Sequence, residues 1–71
     1  MKEEDLRDIL YTMFRILENG GVPEYLVESK YGKDAVISLI SEGYVVRENG
    51  VLILTEKGED VIMDMRLSQG L

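Results

Sequence analysis

Apolar and polar residues recur along this chain with two different periods, and the change of period marks its elements. From about Lys2 to Glu18 the apolar residues Leu6, Ile9, Leu10, Met13, Phe14 and Leu17 fall at intervals of three and four, one stripe on a helix. Glu3, Glu4 and Asp5 stand in its first turn, where the positive end of the helix dipole favours carboxylates. Asn19-Gly20-Gly21 ends it. Tyr11 lies well off the stripe and is expected to be exposed, with Ile16 at the stripe's edge. Val22, alone between Gly21 and Pro23, suits a token edge strand. Pro23 fits the first position of a short helix reaching about Ser29, with Tyr25 and Leu26 inward and Val27 beside them. Lys30-Tyr31-Gly32 reads as a turn in which Gly32 is free to take positive φ.

A third helix covers roughly Lys33 to Glu42. Val36 and Leu39 are its inner pair, Ile40 its flank, and Asp34, Ile37, Ser38 and Ser41 its opposite side. Gly43 closes it with a left-handed cap. The period then falls to two. Val45-Val46 and Val51-Leu52-Ile53-Leu54 flank Asn49-Gly50, the pair best suited to the two positive-φ positions of a type I′ turn. A two-residue turn sets Glu48 opposite Val51, Arg47 opposite Leu52, Val46 opposite Ile53 and Val45 opposite Leu54. Turning Val45 and Leu54 inward turns Val46 and Ile53 outward. Thr55 is the expected N-cap of a last helix from about Glu56 to Leu67, with Val61, Ile62 and Met65 on its core side and Met63 and Leu67 elsewhere. The last residues, Ser68 to Leu71, are expected to fray.

At 71 residues a single domain spanning 1–71 is expected, thin in its core because a chain this short buries only about 60% of its unfolded surface. No cysteine or histidine is present, which excludes disulfides and thiolate or imidazole metal sites. The same absence removes the usual nucleophile–base pairs, and no enzyme activity, metal or cofactor is expected. Glu3-Glu4 and Glu59-Asp60 read as dipole-matched first turns, not as acid–base dyads. No run approaches the roughly 18 apolar residues of a membrane span, and the acidic start MKEEDLRD is unlike a secretory signal. A soluble cytoplasmic protein is the expectation. The net charge of −6 lacks the basic excess that usually accompanies nucleic-acid binding.

The element order is helix, token strand, helix, turn, helix, hairpin, helix: a helix-turn-helix followed by a β-hairpin wing. The stretch LISEGYVVRENGVLILTEKGEDVI resembles winged helix-turn-helix proteins, with Leu39, Gly43, Val45, Leu54, Thr55 and Gly58 at the matching positions. The resemblance implies an α+β, mostly helical fold, made of a three-helix bundle, a β-hairpin wing and a C-terminal helix. Transcription regulators of the MarR, PadR and ArsR types share it. It further implies a double-stranded DNA partner, with the third helix in the major groove and the wing on the backbone or minor groove.

On that reading Lys30 and Lys33 hold phosphate at a helix N-terminus, Tyr31 donates to phosphate from the turn, and Ser38 and Ser41 bond base edges or phosphates. Ile37 meets a thymine methyl, Arg47 is the wing's only basic residue, and Asn49 stands at its tip. Terminal helices often build the dimer in such regulators, so Tyr11, Ile16, Met63 and Leu67 are candidates for a homodimer interface.

Sequence-specific DNA binding by a homodimeric transcription regulator is thus the leading expectation, and several departures favour its alternative. The third helix offers no arginine, the usual reader of guanine, and it carries Asp34. Glu48 sits where gripping wings carry a base. From Val22 to Arg47, Lys30, Lys33 and Arg47 are set against Glu24, Glu28, Asp34 and Glu42. The alternative is a winged-helix protein-interaction module without DNA binding, meeting its partner through Ile37, Val46 and Ile53.

Overall fold

The computed structural model describes residues 2–16 and 21–69, the side chains of Arg15, Ile16 and Gln69 excepted. Along these residues run α1 (Glu3–Ile16), β1 (Gly21–Pro23), α2 (Glu24–Tyr31), α3 (Lys33–Ser41), β2 (Val45–Glu48), β3 (Val51–Leu54) and α4 (Glu56–Gln69). The molecule is therefore α+β and mostly helical. Its three strands form one antiparallel sheet in the order β1-β3-β2.

The sheet follows from turn chemistry. Asn49 (φ 51°) and Gly50 (φ 76°) take the two positive-φ positions of the tight turn. The register is the expected one: Val45 pairs with Leu54, Val46 with Ile53, Arg47 with Leu52 and Glu48 with Val51. The token strand also forms, Val22 lying opposite Leu52, and both are fully buried. Pro23 belongs to this edge strand, opposite Val51, and not to the first helical turn. An edge is where proline's missing N–H costs nothing.

The helices pack on the sheet's inner face. Leu6, Ile9, Leu10 and Phe14 of α1 meet Val27, Ala35, Val36 and Leu39 of α2 and α3, with Tyr44, Val45 and Ile62 closing the cluster. α1 lies against α4, and α2 against α3. The expected core of α2 needs correction. Tyr25 (69%) and Leu26 (37%) are exposed, and only Val27 is buried, with Tyr31 half-buried one turn later. Three consecutive apolar residues do not define a helix face; the i, i+4 pair of Val27 and Tyr31 does. Tyr31 accordingly closes α2 instead of forming a turn, and Gly32 (φ 96°) alone separates α2 from α3.

Tyr11 is a second correction. It is half-buried against the core, not exposed, because the thin core draws in the flank of α1 as well as its stripe. Leu17 and the Asn19-Gly20 stop lie outside the described residues. α4 runs past the expected Leu67 to Gln69; Ser68 Oγ donates to the Asp64 carbonyl at 3.1 Å.

The end of α3 is a Schellman cap. Gly43 (φ 80°) donates its N–H to the Ile40 carbonyl at 3.0 Å, and Tyr44 donates to Leu39 at 3.0 Å. The cap drives Tyr44 inward. Thr55 then ties hairpin to helix. Its N–H donates to the Tyr44 carbonyl at 3.0 Å, and its hydroxyl lies 2.6 Å from the Gly43 carbonyl oxygen. Its Oγ1 accepts from Gly58 N–H at 3.2 Å, the N-cap bond.

Candidate functional site

Among α2, α3 and β2 lies a groove of about 420 Å³ lined by Glu24, Glu28, Lys33, Val36, Ile37 and Arg47. The elements explain its make-up. Glu24 and Glu28 are one helical turn apart on α2 and so share a face. Val36 looks down from α3 into the core, while Ile37, the next residue, is swung outward to 59% exposure. Arg47 lies on the same sheet face as buried Leu52, its partner across β3, so its side chain reaches inward over the groove. There its Nη2 lies 2.5 Å from Glu24 Oε1.

That ion pair changes the standing of Arg47. The only basic residue of the hairpin is held by a carboxylate whose side chain is only 19% exposed. Glu24 also fixes the hairpin tip. Its backbone N–H donates to the Gly50 carbonyl at 2.8 Å, while β1 pairs with β3 as far as Val51, beside the turn. The tip therefore lies against the start of α2 and does not project from the molecule.

The other residues expected to meet DNA are spread over this side. Lys33 opens α3 at the groove wall, and Lys30 is exposed on the last turn of α2, its ammonium 5.5 Å from the centre of the Tyr31 ring. Tyr31 itself packs partly on the core. Ser38 is half-buried, and the Ser41 hydroxyl donates to the Ser38 carbonyl at 3.2 Å. Asp34 and Asn49 are exposed. Groove and helix face thus join Lys33, Ile37 and Arg47, while Asn49 stands apart at the turn.

The outer face of the sheet carries the second group. Val46 is 48% exposed, and its cross-strand partner Ile53 is half-buried. Of the self-association candidates, Met63 (60%) and Leu67 (66%) are exposed on α4, Tyr11 packs on the core, and the Ile16 side chain lies outside the described residues. A second cleft, of about 290 Å³, lies between α1 and α4, where Arg7 Nη2 meets Asp64 Oδ2 at 2.7 Å. No group of acidic residues suited to a metal ion occurs among the described residues. No described helix is long and apolar enough to cross a membrane.

Glu24 and Glu28 are the site residues that sequence reasoning counted only as charges. Their spacing of four on one short helix was the available signal; the pairing with Arg47 is a tertiary contact. No family model, characterised protein or solved structure matches the chain.

Proposed function

We propose that this chain is a winged-helix protein whose α3–hairpin side binds another protein and not DNA. The observation that carries the reading is the Arg47–Glu24 pair: the hairpin's one cation is already neutralised by its own α2. Phosphate recognition gains its affinity from cations that displace counterions. With the Glu24 carboxylate beside it, the guanidinium offers a phosphate little net positive charge. Beside it, the exposed side of α3 presents Ile37 next to Asp34, an apolar anchor beside an acid. Anchors of this kind dominate protein interfaces, whereas an acid facing phosphate repels it.

Titration of the protein with a mixed-sequence duplex over a salt series tests this. The expected result is no saturable binding at low micromolar protein and no change on Lys33→Glu. Binding that weakens steeply with salt, with a slope reduced by Lys33→Glu, would reject it.

A second reading, DNA binding by a transcription regulator, draws on Lys30 and Lys33. Both are exposed on either side of Gly32, where the α3 N-terminus begins. That pair supplies a phosphate-facing corner whatever Arg47 does. Homodimerisation through Met63 and Leu67 accompanies either reading, and sedimentation equilibrium giving one mass near 8.1 kDa across the micromolar range would remove it.

A further inference from the structure

We infer that the groove beside β2 takes an extended segment of a partner protein, added as a fourth strand to the sheet and alternating apolar with basic residues. The inference rests on the protein-binding reading above and specifies its partner.

The backbone comes first. β2 is an end strand of the sheet, and its other edge meets no strand among the described residues. A two-residue turn makes Glu48 and Val51 a hydrogen-bonded pair, and the alternation makes Val46 and Ile53 the next. The N–H and C=O of Arg47 therefore face away from β3, toward the open side. Short edges are usually protected by an inward charge or a bulge. Here the inward charge, Arg47, is paired with Glu24 over the groove, so a strand added beside it meets a neutralised pair and not a bare charge. A strand added there gains main-chain hydrogen bonds, and its alternate side chains read the two faces.

Each face asks for a different residue. A side chain opposite Arg47 on the added strand points to the inner face, over the groove. Glu24 is spent on Arg47, but no ion pair or hydrogen bond engages the half-buried Glu28 carboxylate among the described residues. Lys33 lines the α3 side of the groove, so a lysine or arginine at this position would lay its methylenes along Ile37 and bring its charge to Glu28 on the α2 side. The chain's net charge of −6 draws a basic segment toward it from a distance. The neighbouring residue on the added strand turns to the outer face, beside Val46, with Ile53 one strand further on. There an aliphatic side chain completes a cross-strand apolar row. The recognised pattern is apolar–basic–apolar at strand spacing.

The probe is a short blocked peptide alternating valine with lysine, titrated against the isotope-labelled protein and followed by amide NMR. Three control peptides accompany it: the same composition in blocks, glutamate in place of lysine, and N-methylation of alternate amides. The alternating lysine peptide is expected to bind, slow hydrogen exchange at the Arg47 amide and shift Val46 and Ile37. N-methylating one set of alternate amides should abolish binding and methylating the other should not. Glu28→Gln, on the surface of α2, should weaken binding about fivefold. Equal binding of the block peptide, or unchanged exchange at Arg47, overturns the strand. If an amphipathic helical peptide binds at Ile37 without touching the Arg47 amide, the added strand is wrong and the protein-binding reading stands. If only a DNA duplex binds, with a salt slope, both fall. A mass near twice 8.1 kDa accompanied by protection of the Arg47 amide in the protein alone assigns the edge to a second copy and also overturns the inference.

Discussion

At the base of the hairpin Thr55, Lys57 and the α3 cap are bonded to one another, whereas along its free edge the Arg47–Glu24 pair is the one side-chain tie among the described residues. The base joins the Schellman cap of α3 to the start of α4 through Thr55. Lys57 adds to it, its Nζ donating to the Glu42 carbonyl at 2.7 Å while lying 4.8 Å from the centre of the Tyr44 ring. Gly58 is buried in the same junction, where a Cβ would stand 2.3 Å from the Tyr44 carbonyl oxygen. The free edge has Ile37 and Val46 in solvent and the Glu28 carboxylate without an ion pair among the described residues. The contacts that lock the hairpin to α3 and α4 are thus concentrated at its base, and the side chains left over along the β2 edge are the ones a partner would use.

Substitutions at the base should therefore cost stability, and those at the edge should not. The largest effect is expected from Gly58→Ala. Its methyl group meets backbone, which cannot rotate away, so α4 must shift off the hairpin. Overpacking of this kind costs ~3 kcal/mol, partly offset by the ~1 kcal/mol that alanine returns in helix propensity. Urea unfolding should register a net loss of about 2 kcal/mol, and an unchanged midpoint would mean the junction is looser than these contacts say. Thr55→Val comes next. It removes the cap on Gly58 N–H and the donor to the Gly43 carbonyl, though the backbone bond to the Tyr44 carbonyl survives. A loss of ~1.5 kcal/mol is expected. Thr55→Ser, which keeps the hydroxyl, should recover most of it.

The turn lies between the base and the free edge in energy. Asn49→Ala places an ordinary side chain at φ 51° and should cost ~1 kcal/mol, while Asn49→Gly should cost nothing. If alanine is also neutral in thermal unfolding, the turn is not of the type its sequence demands.

How far the sequence revealed this division depends on the range of the contacts. The hairpin register was legible residue by residue because Asn49-Gly50 fixes the turn and a two-residue turn fixes every pair after it. The inner side of α3 was legible because Val36 and Leu39 stand alone between polar positions. α2 was misread, since Tyr25, Leu26 and Val27 are consecutive and no period chooses among them. The choice is made by Val22 and Leu52, which pair at long range and set where the helix begins. Tyr44 carries a local signal of its own, since the residue after a Schellman glycine commonly packs back on the helix it ends. At the candidate site, Ile37, Val46 and Ile53 were legible as apolar residues on the wrong faces. The loss of Arg47 to Glu24 was not, because nothing local links a strand residue to the start of a distant helix.

Tyr44 offers a weaker test of the base, through pH. Burial, then the Glu3 and Glu42 carboxylates, raise its phenol above the ordinary 10.0, with Arg7 opposing and a hydrogen bond to Glu3 adding to the rise. A folded-state value above the unfolded one means stability is fully present below pH 10.0 and is lost as pH climbs through the raised value. Melting temperature followed from neutral to alkaline pH should fall at the upper end, and Tyr44→Phe should flatten that fall. A fall of the same steepness in the variant would place the alkaline loss on other groups.

The smallest change is expected from Arg47→Ala, and it bears most directly on the contrast between base and free edge. The pair is short, but the Arg47 side chain is 52% exposed, so solvent screens it and ordering the long side chain opposes it. A loss within ~0.5 kcal/mol is expected in urea unfolding. Ile37→Asp should do as little to stability, its side chain already standing in water. If Arg47→Ala instead cost as much as Thr55→Val, the Arg47–Glu24 pair would be a structural tie like those at the base. The groove would then be part of the fold's own bonding, and the edge of β2 would no longer be a surface held in reserve.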